Sequence, residues 1–187
     1  MHPIRNNAIA ALVLVALFAA MISASAFLVI PIGPVPVALR NLFTLLAGMV
    51  LGPVLGPASV ALFIAAGLAG APVFAGGAAG AAVMLGPTGG YILGYLLSAF
   101  VAGLIVGYPK PGTRTPIPRL AAAAAVGLLV VYLPGLPWLR HSLDLESWRQ
   151  TLAAGFLPFL IGDAAKGILA ALVAGRLRRT ASQLLAR

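Results

Sequence analysis

The sequence is dominated by apolar runs of membrane-spanning length. No charged side chain falls between Ala8 and Ile30, and further runs over 37–51, 55–71, 87–107, 118–133 and 153–175 carry two charges at most. A transmembrane helix needs about 20 predominantly apolar residues. These runs stop where such a helix would, at the Pro31, Pro34 and Pro36 cluster, at Gly52-Pro53, at Pro72 and at Gly107. Charged residues make up 8% of the 187, against about 25% in a typical soluble domain. So few charges cannot cover the surface of a soluble globule of this length. An ordinary cytosolic enzyme, a disordered chain and a DNA-binding domain are therefore excluded, and nucleic acid is not an expected partner. The expected fold is an all-α integral membrane protein, a single transmembrane domain over residues 1–187 with six helices in the lipid bilayer. The glycine-rich stretch from Ala75 to Gly86 leaves five or seven as the other counts.

Loop charge sets the orientation. Arg5, the group Lys110, Arg114 and Arg119, and the group Arg176, Arg178, Arg179 and Arg187 fall on one side of a six-span chain. Arg40, Arg140 and Arg149 fall on the other, with Asp144 and Glu146. Basic loops stay on the cytoplasmic side, so both termini are expected there. The run from Ala8 is longer than the ~7–15 residues of a signal-peptide core, so Ser23-Ala24-Ser25-Ala26 is not read as a cleavage site. No two-fold repeat of the inverted-topology kind is evident.

Several chemistries lack their residues. The chain has no cysteine and only His2 and His141, so thiolate and zinc or iron sites have almost no ligands to draw on. No G-x-x-x-x-G-K-[ST] pattern precedes Lys166, so no means of using ATP is recognisable. Intramembrane proteolysis needs a Ser–His pair or two aspartates in the spans, and Asp163 is the one acid there.

Polar residues inside the spans are then the informative ones. Asp163 and Lys166 lie in the sixth span, where an ionisable group costs about 2.5–3.5 kcal/mol on insertion scales. Their i, i+3 spacing puts both on one helix face, with Phe159 and Ala170 on the same stripe. They read either as an ion pair that offsets its own burial or as a ligand site. If Pro158 opens the helix, Asp163 lies about 8 Å below the outer end. The stretch from Ala71 to Tyr91 is nearly uncharged yet too rich in glycine and proline for a regular helix, so it is expected to line a pocket on the outer side. Gly76, Gly86, Gly89 and Gly90 permit close backbone approach, and the helix start at Thr88 and Gly89 offers N–H groups to a carboxylate. Tight helix packing by small residues is the alternative reading. Pro31 to Pro36 makes a stiff extended cap, followed by Arg40, which either snorkels to the interface or faces the pocket. Ala16, Ala20 and Ala24 repeat at four-residue spacing, which lets another helix approach closely.

Five pieces, in order and with suitable spacing, resemble the BioY family. They are Ile30-Pro31-Ile32-Gly33-Pro34-Val35-Pro36-Val37, Leu45-Leu46-Ala47-Gly48, Pro72-Val73-Phe74-Ala75-Gly76-Gly77, Leu85-Gly86-Pro87-Thr88-Gly89-Gly90-Tyr91 and Phe159-Leu160-Ile161-Gly162-Asp163-Ala164-Ala165-Lys166. BioY proteins are the biotin-specific S components of energy-coupling-factor (ECF) transporters. The resemblance implies the six-helix S-component fold and a biotin pocket near the outer face under a lid formed by the first loop. It implies residence in a bacterial or archaeal cytoplasmic membrane, and a transmembrane coupling subunit and ATP-binding-cassette ATPases as partners. Biotin is then the cargo, no cofactor is called for, and the chain is not an enzyme. By the same resemblance Asp163 and Lys166 contribute to biotin binding, as do Gly89, Gly90 and Tyr91, and Ala16 and Ala20 dock the coupling subunit. The chain departs from the family where Thr-Leu-Gln is common after the proline cluster, having Ala38, Leu39 and Arg40. It also has Gly76 and Gly77 where some members place an Asn, and Tyr95 where some place an Arg. The N–H groups of Thr88 to Gly90, or Arg40, remain to receive the valerate carboxylate, with Phe74 and Tyr91 against the rings. A different class fits the same residues: a proton-coupled small-solute carrier or channel with Asp163 as its titrating group.

Overall fold

The computed structural model describes residues 3–27, 29–30 and 37–186. Its helices are α1 (Pro3–Ala24), α2 (Arg40–Leu68), α3 (Ala81–Leu85), α4 (Gly89–Val106), α5 (Ile117–Ser142), α6 (Trp148–Gly155) and α7 (Leu160–Leu185). Two short strands, β1 (Val29–Ile30) and β2 (Val37–Ala38), pair antiparallel, with Val29 opposite Ala38 and Ile30 opposite Val37. The expected cap over Pro31 to Pro36 lies outside the described residues. The two strands bring its ends together.

Five helical stretches are long and apolar enough to cross a membrane: Ala8–Phe27, Arg40–Leu68, Gly89–Val106, Ile117–Ser142 and Trp148–Leu185. Two of the expected six, over 37–51 and 55–71, are the two arms of α2. Gly52 breaks the helix with φ 87° and ψ −172°, a backbone conformation that only glycine adopts without strain, and Pro53 follows it. The chain doubles back there. A methyl group on Gly56 would stand 2.6 Å from the Gly48 Cα, whereas eight residues of straight helix span about 12 Å. Near the open end of this hairpin, the Arg40 guanidinium lies 5.2 Å from the Phe63 ring centre.

Other boundaries differ from the sequence reading. The first helix ends at Ala24 and passes through a 3-10 turn over Ser25–Phe27, not on to Ile30. α5 runs beyond residue 133 through Pro134 and Pro137 to Ser142. Transmembrane helices tolerate proline because neighbouring helices satisfy the freed backbone groups. The sixth expected span is divided. α6 has its own capping box at Ser147 and Gln150, a 3-10 turn covers Leu157–Phe159, and α7 extends ten residues past Gly175.

The core forms two tiers. One joins Leu14 and Phe18 of α1 to Leu45, Val106, Leu120 and Ala174. The other joins Ile22 to Phe63, Phe74, Tyr91, Tyr132, Leu139 and Phe159. The first tier holds the end of α4, the start of α5 and the later part of α7, so the basic residues around them gather at that end of the bundle. Asp163 lies at the other end, about 22 Å along α7 from Arg178.

Candidate functional site

α7 begins at Leu160, not Pro158, so Asp163 sits in its first turn, where the helix dipole favours a negative charge. Phe159, Asp163, Lys166 and Ala170 are all buried, which is the stripe that the spacing predicts. Lys166 Nζ donates to Asp163 Oδ1 at 2.9 Å. Two further donors complete the carboxylate. The Tyr132 hydroxyl donates to Oδ2 at 2.5 Å, and Asn41 Nδ2 lies 3.3 Å from Oδ1 and 3.4 Å from Oδ2. Helices α2, α5 and α7 therefore meet on one acid.

Neither Tyr132 nor Asn41 is among the candidate site residues named from the sequence. The available signal was the phenol of Tyr132 inside an apolar span, because a buried hydroxyl needs a partner. That partner is 31 residues away, on another helix.

Arg40 does not snorkel. It is 3% exposed, and its guanidinium lies over the Phe63 ring with Nη2 donating to the Val73 carbonyl at 3.3 Å. No carboxylate meets it among the described residues, and its Nε has no hydrogen-bond partner. One turn further along α2, the buried hydroxyl of Thr44 is also without a partner. Buried polar atoms are nearly always satisfied, so two orphans on one helix face mark a place for a polar guest.

The glycine-rich stretch is irregular, as expected: a 3-10 turn over Ala75–Gly77, then the five-residue α3. Phe74 is fully buried, edge-on to Phe63 at 5.5 Å, and fills the space left by the missing side chain of Gly67. Gly76 is exposed, with open space where a side chain would be. Thr88 is half-buried at the start of α4. The Gly89 N–H is occupied by the Gly86 carbonyl at 3.1 Å. Gly90 packs directly against Pro134 and Trp138, whose indole N–H donates to the Gly86 carbonyl at 2.9 Å. Tyr91 is buried beside Tyr132, ring centres 6.1 Å apart, and donates to the Gly155 carbonyl at 2.8 Å. The structure thus places Gly89, Gly90 and Tyr91 in close helix contacts behind the Asp163 cluster. Ala16 and Ala20 lie together on an exposed face of α1, with Leu12, Val13 and Leu17.

Known proteins carry the same architecture. The sequence model of the BioY family matches residues 2–183. A probable biotin transporter BioY of Pyrococcus horikoshii is 41% identical over 165 residues, which is 88% of this chain and 94% of that protein. The biotin transporter BioY of Thermotoga maritima is 36% identical over 87% of this chain and 92% of its own length. The crystal structure of the S-component for biotin from an ECF-type ABC transporter superposes with a TM-score of 0.80 at 32% identity, covering 96% of this chain and 95% of that one. With its Asp163 cluster set in that fold, the chain belongs to the BioY family.

Proposed function

We propose that this multi-pass membrane protein binds biotin beside Asp163 and serves as the substrate-specific subunit of an ECF-type importer. The observation that carries the reading is the buried Asp163–Lys166 pair, with the unpaired Arg40 and Thr44 groups on the neighbouring α2. Biotin presents ureido N–H donors and a carbonyl at one end and a carboxylate at the other. A carboxylate acceptor and an ammonium donor suit the ureido ring. An uncompensated guanidinium suits the tail, with which it forms charge-assisted bonds. Arg40 is the better of the two candidates for that carboxylate, since Gly89 has its N–H occupied and Gly90 is packed against Trp138.

In this reading the chain spans the membrane six times with both termini in the cytoplasm. The reversal at Gly52 supports the count. The collection of Lys110, Arg114, Arg119 and Arg178 at one end supports the orientation. The arms of α2 are only about 18 and 24 Å long, less than the ~30 Å hydrocarbon thickness, so Arg40 and Asn41 enter at membrane depth. The exposed Ala16–Ala20 face of α1 is the docking surface for a transmembrane coupling subunit, through which ABC ATPases drive uptake. The role is transport rather than catalysis.

Titration of the purified chain with labelled biotin tests the binding step. Saturable one-site binding is the expected result, and its absence overturns the reading. Uptake into cells is expected to stop on ATP depletion and to survive collapse of the proton gradient. The opposite pattern would favour the proton-coupled carrier.

A further inference from the structure

A polar cavity lies at the end of the bundle opposite Asp163. It has a volume of about 430 Å³, and Lys110, Arg114, Arg119 and Arg178 line it. That volume is within the ~300–1,000 Å³ of small-ligand sites. Its wall is the α4–α5 connection, stiffened by Pro109, Pro111 and Pro116 and closed by bonds from Thr113 N and Oγ1 to the Lys110 carbonyl at 3.3 and 2.8 Å. Its floor is Arg178, which is 6% exposed. The Arg178 guanidinium bonds to Thr115 Oγ1 and to the carbonyls of Met49, Val106, Gly107 and Tyr108, so its donors are occupied while its charge remains. Arg119 Nε bonds to the Ile105 carbonyl, and its terminal nitrogens meet no acceptor among the described residues. Lys110 and Arg114 are exposed.

Among the described residues no carboxylate balances these charges. The ion pair found among the described residues is Lys166–Asp163, and Asp144 and Glu146 lie beyond the far end of α5. Four like charges around one cavity repel one another until an anion enters. The apolar flank adds a second condition. Tyr108, at the cavity wall, and Leu104, one turn before it on α4, are 60% and 53% exposed. One turn further along α4, Phe100 lines an apolar groove of about 330 Å³ shared with Val54, Pro57 and Ala58 of α2. A guest with an anionic head and a hydrocarbon tail satisfies both surfaces.

We propose that this cavity binds a phosphate group, that of an anionic phospholipid whose acyl chain lies in the α2–α4 groove. Basic pockets between transmembrane helices hold anionic headgroups in this way. The site is independent of the biotin reading, because no residue near Asp163 takes part.

The test is native mass spectrometry of the full chain with phosphatidylglycerol and phosphatidylcholine in competition, beside thermal unfolding in nanodiscs of either lipid. Phosphatidylglycerol is expected to be retained preferentially and to raise the unfolding temperature. Each of Lys110→Gln, Arg114→Gln and Arg119→Gln is expected to reduce that preference about fivefold. The double variant Arg176→Gln/Arg179→Gln removes twice the charge of any of these from the same end of the bundle, outside the cavity, and is expected to keep the preference. Equal retention of the two lipids overturns the proposal. So does loss of the preference in the control variant as large as in the cavity variants. A third arm adds inorganic phosphate to phosphatidylcholine nanodiscs. If that alone reproduces the thermal shift, the site belongs to a soluble phosphate and the lipid assignment falls.

Discussion

Asn41 reaches both carboxylate oxygens of Asp163, 122 positions further along the chain, at 3.3 and 3.4 Å. Each residue sits in the first turn of its helix, Asn41 in α2 and Asp163 in α7. Two helix N-termini therefore converge at the same level, and the partial positive charge of both favours anions there. One anion is built in. The carboxylate of a guest is the second that the arrangement suits, beside Arg40.

Asp163→Asn and Lys166→Ala are each expected to weaken biotin binding by about 10- to 100-fold, the range of a lost hydrogen bond to a charged group. Asp163→Asn keeps an acceptor for Tyr132, so the protein should still insert and purify. Asp163→Ala leaves Lys166 buried and uncompensated, at a cost of about 3–5 kcal/mol, and should also lower the unfolding temperature. Titration with labelled biotin and a melting curve separate the two effects. Wild-type affinity in both of the first variants would remove Asp163 and Lys166 from the site.

Tyr132→Phe should cost more affinity than Asn41→Ala. The phenol is 2.5 Å from its oxygen and buried, while the Asn41 amide is at 3.3–3.4 Å and only half-buried. Shorter charge-assisted bonds are the stronger ones. The reverse ranking in a titration series would mean that Asn41, not Tyr132, sets the position of the carboxylate.

Arg40→Gln should abolish discrimination between biotin and its uncharged amide. The wild-type protein is expected to prefer the acid, since its carboxylate meets a guanidinium that no carboxylate pairs with among the described residues. The variant should bind both equally, and at the weaker affinity. A preserved preference for the acid would place the carboxylate elsewhere. Failure of the wild-type protein to bind either compound would instead strike at the biotin reading itself.

Ala16→Trp should block co-purification with the coupling subunit and leave biotin affinity unchanged. Ala16 and Ala20 are exposed on α1, and a bulky side chain there keeps a second helix from approaching. Undiminished co-purification would move the docking surface to another face.

Gly56→Leu should destabilise the protein by more than about 1–3 kcal/mol, the ordinary cost of overpacking. The obstacle is the backbone of Gly48, which cannot rotate aside as a side chain can. A thermal-unfolding measurement checks it, and a melting temperature equal to wild type would contradict the hairpin at Gly52.

The sequence reading located the Asp163–Lys166 stripe, the irregular stretch before α4 and the break at Gly52-Pro53, because each is a local signal. An i, i+3 charge pair, a dense run of glycine and a Gly-Pro step are visible in a short window. What it could not see was long-range pairing. Arg40 reads either as an interfacial arginine or as one facing the pocket, because nothing nearby in sequence shows that Phe63 and Val73 fold over it. Tyr132 looks like the end of a span because the apolar run reads as closing at residue 133. In the structure α5 continues through Pro134 and Pro137, and the phenol points across to α7.

Arg178 has a consequence for how the protein comes into being. It bonds to the carbonyl of Met49, made 129 residues earlier, and to three consecutive carbonyls at the end of α4. Until α7 has been synthesised, those carbonyls have no arginine to meet, and unmet backbone groups are costly away from water. Contacts so distant in sequence close late. A nascent chain stalled before α7 thus lacks the arginine that ties α2 to the end of α4, and α7 locks these earlier helices together only once it has been made.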